Sequence, residues 1–349
     1  MRHFTGSLVF TVAALVAALA YGWFDSHSIS ATASFAWIVL VLAVLEISLS
    51  FDNAVVNAAV LTEMDAVWQK RFLTWGMVIA VFGMRIVFPL AIVALAAGLG
   101  PIDALTLSLT EPAKYEAIVT AAHIPIAGFG GAFLLLVGLD FFLDGAKTVH
   151  WIGPVERALA ALAPINALAI ACVLGVLMLI ALALPRDTAL VFIEAGLGGI
   201  IAHVAVEAIG TLLEAQETAR RAAGAMVRSG LGGFIYLNVL DSSFSFDGVI
   251  GAFALSNNMV IIALGLSVGA MFVRSITLML VRHGTLAEYR YLEHGAFWAI
   301  IALGAIMLAS AQVEVPETVT GLIGAVLIGL SLWASRRTGS GSPREHRAA

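Results

Sequence analysis

Apolar residues along this chain come in long blocks, and polar residues are confined to short breaks between them. Ten blocks approach or exceed the length a helix needs to cross a hydrocarbon core of about 30 Å. They cover residues 7–24, 35–61, 72–98, 118–142, 164–184, 188–213, 231–255, 258–281, 294–312 and 318–335. The pattern predicts an all-α polytopic membrane protein with about ten transmembrane helices. The first block follows Arg2 and ends in Ala-Leu-Ala, which suits an N-terminal anchor but also has the outline of a cleaved signal. Residues 336–349, rich in Gly, Ser and Arg, are expected to form a disordered tail.

Composition narrows the class further. The hydrophobic fraction is 61%, the charged fraction 12% and the mean hydropathy +1.00. A soluble chain carries roughly 25% charged residues. Where the charges sit matters more than their net −5. With ten spans, one face of the membrane receives Arg2, Lys70, Arg71, Lys147, Arg157, Arg220, Arg221, Arg228, Arg282, Arg290, Arg336, Arg337, Arg344 and Arg347. The other face receives only Lys114 and Arg186. That bias places both termini in the cytoplasm and the chain in the plasma (inner) membrane. The basic residues are scattered, so no nucleic-acid groove is expected. Cys172, the single cysteine, excludes an internal disulfide.

The remaining basic residues, Arg85 and Arg274, fall inside spans three and eight and expose an internal repeat. Leu45 to Asn53 (Leu-Glu-Ile-Ser-Leu-Ser-Phe-Asp-Asn) aligns with Leu240 to Gly248 (Leu-Asp-Ser-Ser-Phe-Ser-Phe-Asp-Gly). Gly76 and Arg85 then match Gly265 and Arg274 at the same spacing. The copies are five spans apart, an odd number, so they must run in opposite directions. This is the plan of two inverted five-helix repeats, residues 1–184 and 185–335, with a binding site at the midplane.

Glu46, Asp52, Asp241 and Asp247 each lie well inside a span, where a charge costs about 2.5–3.5 kcal/mol or more. Glu46, Ser50, Asn53 and Asn57 share one helical face, and Ser48 lies one turn before Asp52. The second copy repeats this with Asn238, Asp241 and Ser245, and with Ser243 before Asp247. Unwinding at the Asp-Asn and Asp-Gly steps would add backbone carbonyls. The donors are then hard oxygens, which suit magnesium, calcium or manganese over zinc or copper. Glu46, Asp52, Asn53, Asp241 and Asp247 are the expected metal ligands. Ser48, Ser50, Ser243, Ser245, Arg85 and Arg274 are expected to support them. Four carboxylates and two arginines leave a charge of −2, enough for one divalent cation, and protons would compete for the same oxygens. Arg85 and Arg274 serve equally well as mobile counter-charges or as structural locks.

The segment Glu46-Ile-Ser-Leu-Ser-Phe-Asp52-Asn53 resembles the signature of the TerC family of integral membrane proteins. Paired with Asp241 to Phe253, it resembles a ten-span branch of that family, over about Trp37 to Leu308. The second copy departs from the first in starting with Asp241 and ending Asp247-Gly248, so the halves need not coordinate equally. The resemblance implies a secondary transporter exporting a divalent cation, Mn2+ above others, with proton exchange. It implies no enzyme activity and no resident cofactor. The partners it implies are the lipid bilayer, the metal ion and protons, and homo-oligomerisation is left open. A non-transporting scaffold for a metal or tellurium stress complex is the alternative. An intramembrane aspartyl protease would need a Gly-x-Gly-Asp motif and a zinc protease a His-Glu-x-x-His motif; neither occurs.

Outside the motifs, Asp140 and Asp144 lie one turn apart near the end of span four, as a solvated pair or an entry site. His203 and Glu207 are one turn apart in span six, beyond Glu194, and offer a proton relay or ordinary helix–helix hydrogen bonds. His123 reads as interfacial. Gly130, Gly131, Gly196, Gly198 and Gly199 read as close-packing positions.

Overall fold

The computed structural model describes residues 3–339, apart from 77, 166, 223–229, 254, 257, 284–287, 314 and 316. Every regular element among the described residues is helical. In order they are α1 (Thr5–Ser26), α2 (Ile29–Leu49), α3 (Phe51–Glu63), α4 (Ala66–Arg71), π1 (Phe72–Gly76), π2 (Ile79–Val87) and α5 (Phe88–Ala97). Two short helices follow, α6 (Pro101–Thr110) and α7 (Pro112–Ala121), and then α8 (His123–Phe142), α9 (Gly153–Ala161), α10 (Leu168–Ala181) and α11 (Arg186–Ala222). The chain ends in α12 (Leu231–Phe253), α13 (Met259–His283), α14 (Leu292–Ser310) and α15 (Glu317–Gly339).

Each apolar block of the sequence carries helix, and among the described residues seven helical stretches, against the ten spans expected, are long and apolar enough to cross a membrane. They are Thr5–Phe24, Ile29–Leu49, Ala66–Ala91, His123–Phe142, Arg186–Leu212, Met259–Arg282 and Leu292–Ser310. The chain is thus an all-helical, multi-pass membrane protein by length and composition. The outward faces agree. Val9, Val12 and Val16 of α1, Met178 and Leu179 of α10 and Leu322, Val326 and Leu330 of α15 all point away from the core. So many exposed aliphatic residues require an apolar solvent.

Local sequence explains the breaks. Asp65 caps α4, its Oδ1 accepting from the Val67 and Trp68 amides at 2.8 and 2.9 Å. Proline at the first turn opens both α6 and α7, where its missing N–H costs nothing. The block expected at 118–142 is divided at Ala122, between α7 and α8. The block at 35–61 bends at Ser50, whose φ of −101° and ψ of 15° leave the α region. The last helix continues to Gly339, past the expected start of the tail at residue 336. Arg336 and Arg337 occupy its final turn, where cations favour the helix dipole, and Arg337 covers the Trp333 ring at 3.8 Å. Residues 340–349 of the expected tail lie outside the described residues.

The core is built around α8. A Cβ at Gly128 would sit 2.7 Å from the Phe192 carbonyl oxygen of α11, and Gly199 of α11 meets the Phe129 backbone just as closely. On its other side, Gly131 faces the Gly304 carbonyl of α14 at 2.9 Å from its would-be Cβ. Glycine here allows backbones to touch, the usual device where apolar solvent supplies no hydrophobic drive between helices. The first helix joins the bundle through Ser7, whose Oγ is 2.7 Å from both the Met271 carbonyl and the Ser275 hydroxyl of α13.

Candidate functional site

The polar stripe of α2 and α3 is turned inward. Glu46 is 2% exposed, and Ser50, Asp52, Asn53 and Asn57 are likewise buried. Glu46 is the most enclosed of them. Its Oε1 accepts from Ser50 Oγ at 2.9 Å and forms an ion pair with Arg85 Nη2 of π2. Its Oε2 lies 2.8 Å from where a Cβ on Gly248 of α12 would stand, and its Cβ and Cγ press on Gly269 of α13. One carboxylate therefore meets elements from both ends of the chain.

The two motifs converge directly. Asn53 Nδ2 donates to Asp241 Oδ1 at 2.6 Å, across 188 residues of sequence. That donation fixes the amide orientation, so Asn53 Oδ1 faces away from Asp241 as an acceptor. Asn53 Oδ1 and Asn57 Oδ1 are both buried and have no hydrogen-bond partner among the described residues. Both asparagines line a cavity of about 30 Å3, together with Ser50, Arg85, Asp241, Arg274 and Thr277. Such a space holds one or two water-sized occupants. Buried polar atoms are nearly always satisfied, so two orphaned oxygens on one small cavity mark a place for a cation or water.

The remaining expected residues divide. Asp52 is buried, but its Oδ1 accepts from the Asn53 amide at 2.9 Å and its Oδ2 points toward Gly324 of α15, away from the cavity. Ser48 is exposed and donates to the Val44 carbonyl at 2.9 Å, so it does not join the cluster. Arg274 lines the cavity, yet its Nε donates to the Leu73 backbone carbonyl at 2.8 Å. The side chains of Ser243, Ser245 and Asp247 lie outside the described residues. The expected unwinding takes a different form. The bend falls at Ser50, two residues before Asp52, and α12 continues through Asp247-Gly248 without a break. Ser50 N still bonds the Glu46 carbonyl and Ala54 N the Ser50 carbonyl, so neither oxygen is released as a ligand.

Two contributors escape a reading by sequence. Asn57 belongs to the predicted stripe, but its role as an orphaned acceptor depends on what faces it. Thr277 of α13 has no motif around it. The π-helical winding that carries Arg85 to Glu46 is likewise invisible in the composition, although π segments recur at functional sites.

A third constellation forms elsewhere. Asp140 of α8 meets His203 of α11, with Nε2 and Oδ2 2.6 Å apart, and Glu207 completes a group whose ligand atoms all lie within 4.8 Å of one another. Glu194 is exposed and Asp144 caps the Ala146 amide at 2.9 Å. His123 Nε2 lies 3.2 Å from the Ser310 hydroxyl.

No curated protein and no solved structure matches the chain. Over residues 51–340 it matches a family described as protein of unknown function (DUF475), and with most of its length covered the chain belongs to that family.

Proposed function

We propose that this protein is a secondary transporter for a divalent metal cation, with Mn2+ the best fit, built as ten spans in two inverted five-helix halves. The TerC resemblance of the two acidic motifs supports this reading, with export coupled to proton exchange across the plasma (inner) membrane and both termini in the cytoplasm. One observation carries it. Where the two motifs meet, a small cavity gathers Asp241 with two amide oxygens, Asn53 Oδ1 and Asn57 Oδ1, that have no other partner among the described residues. Carboxylate and amide oxygens without thiol or imidazole favour a hard cation such as Mn2+ or Mg2+ over a soft one.

Arg85 then acts as a tethered counter-charge. It neutralises Glu46 and borders the cavity on the side of Asp241. A cation arriving at Asp241 repels the guanidinium, so loading and the Glu46 ion pair oppose each other. Asp247 supplies a further carboxylate, while Asp52, turned toward Gly324, stands beside the cavity as a proton carrier, and protons compete with metal because clustered carboxylates in a dry site cannot all stay ionised when empty.

Mn2+ flux in proteoliposomes tests the proposal. Asp241→Asn, Asp52→Asn and Asp247→Asn each keep the side-chain shape and remove one charge. Each should abolish flux in protein that remains folded and inserted. Full Mn2+ flux in the triple Asn variant, with no proton counterflow in wild type, would overturn it.

A further inference from the structure

We propose that Asp140, His203 and Glu207 form a second divalent-cation site beside the end of α8, with a donor set unlike that of the central cavity. Two carboxylates converge on one imidazole there, and every pair of ligand atoms lies within 4.8 Å. His203 is only 6% exposed, and its Nδ1 has no hydrogen-bond partner among the described residues. The polar edge of the ring that is engaged is the one aimed into the cluster, at Asp140. Phe133 holds the ring edge-on at 5.5 Å between centroids.

Electrostatics also asks for a cation. Among the described residues no lysine or arginine forms an ion pair with Asp140 or Glu207; His203 is the one basic partner of Asp140. Tyr236 of α12 adds its phenol within electrostatic reach of both carboxylates. Neither carboxylate is sealed in the core: Asp140 has 43% of its side chain exposed, and Glu207 is exposed as well. The frame is rigid, because α8 and α11 touch backbone to backbone at Gly128 and Gly199.

One nitrogen and two carboxylate oxygens suit Mn2+, Fe2+, Co2+ or Zn2+ better than Mg2+ or Ca2+, and three protein ligands leave positions for water. Tyr236 precedes Asp241 by five residues, about 7.5 Å along α12. This site would thus be a station close to the central cavity. That role rests on the transport reading, whereas the binding itself does not.

The test uses the full chain, free of any affinity tag, in detergent with MnCl2 alone. Pulsed electron paramagnetic resonance of bound Mn2+ should show coupling to an imidazole nitrogen. Asp140→Asn and Glu207→Gln, both at exposed positions that spare the fold, should each weaken the nitrogen-coupled signal by ~10-fold or more in apparent affinity. His203→Gln should remove it. The signal should persist in Asp241→Asn, which separates this site from the central one even if transport is never observed. No nitrogen-coupled signal in wild type, or one unchanged in Asp140→Asn and Glu207→Gln, would overturn the proposal. So would a group that only exchanges protons, seen as a pH-dependent His203 resonance indifferent to Mn2+.

Discussion

The two acidic motifs are alike in sequence and unlike in structure. In the first, Glu46 is locked by Arg85 and Ser50, and the helix bends beside it. In the second, Asp241 accepts from Asn53, and α12 runs straight through. The matched arginines differ in the same way. Gly76 to Arg85 lies in and around π-helical turns, whereas Gly265 to Arg274 lies in regular α-helix. Equal spacing therefore aims the side chains differently, Arg85 at a carboxylate and Arg274 at the Leu73 carbonyl. Even the Asn-to-Gly departure has a cause. A side chain at position 248 would strike Glu46 Oε2, while Asn53 on the other copy makes the cross-motif hydrogen bond. Two segments can thus share a pattern while one becomes a clamp and the other a hydrogen-bond acceptor on the cavity.

The sharpest way to break that comparison is to neutralise the matched carboxylates one at a time. Glu46→Gln leaves the buried Arg85 without its counter-charge, a change that costs about 3–5 kcal/mol. Asp241→Asn removes a charge from the cavity but keeps a group that can face Asn53, so its cost should be only about 1 kcal/mol. Thermal unfolding in detergent measures both. The double variant Glu46→Gln/Arg85→Gln should recover much of the loss, and equal losses for Glu46→Gln and Asp241→Asn would mean the copies are equivalent after all.

Gly248→Ala probes the same asymmetry by volume. Its Cβ would stand 2.8 Å from Glu46 Oε2, and that carboxylate cannot swing away without leaving Arg85 and Ser50. Overpacking of this kind costs about 1–3 kcal/mol. Gly83→Ala in π2, whose Cβ would find only ordinary contacts beginning at 3.5 Å, is the control and should unfold at the wild-type temperature.

The arginines should separate by ligand affinity. Arg85→Gln removes a positive neighbour of the cavity and should tighten Mn2+ binding by calorimetry, by at least about 10-fold, the gain for a divalent ion a few ångströms away even at the dielectric of water. Arg274→Gln loses a bond to a backbone carbonyl and should lower stability by about 1–2 kcal/mol with a smaller change in affinity. Weaker Mn2+ binding in folded Arg85→Gln would show that the Glu46 pair is a structural lock.

How much of this was legible in the chain follows from the range of the interactions involved. Apolar block length located the helices, seven of which among the described residues are long and apolar enough to span, because a membrane-spanning helix must hide its own backbone bonds and needs no partner to declare itself. The inward face bearing Glu46, Ser50, Asn53 and Asn57 was legible for the same local reason. What sequence could not supply is what meets that face. Asp52, one residue from Asn53, points toward Gly324 of the last helix, and Ser48, on the same stretch, lies outside the bundle. Asp140, His203 and Glu207 were each visible, but α8 and α11 are joined by glycine contacts that no periodicity announces. The bend at Ser50 and the π winding before Arg85 are outcomes of packing.

The smallest expected effect lies outside the spans, where the copies differ again. In the register of the proposed repeat α8 would pair with α14, yet the end of α8 carries Asp140, Asp144 and Lys147, while the end of α14 offers Ser310 and Gln312. Lys147 is tucked over the Phe141 ring, and burial pushes its pKa down to about 7 from the ordinary 10.5, against the pull of Glu293, Asp144 and Glu156. The unfolded chain titrates near the ordinary value. Between the two it binds more protons than the folded chain, so this group makes stability rise with pH across that window. Below about pH 7 both states are charged and the full penalty is present; above the ordinary value it vanishes. Lys147→Met removes the titration and keeps the apolar stem over Phe141. It should stabilise the protein at pH 6 by about 1 kcal/mol, a figure discounted because the side chain is partly solvated, with the gain shrinking towards pH 10. The difference between variant and wild type isolates Lys147, since its neighbours are the same in both. Unfolding temperatures at the two pH values decide it. A gain that is constant with pH would assign Lys147 a charged state throughout and remove the end of α8 from the list of places where the two copies differ in electrostatics.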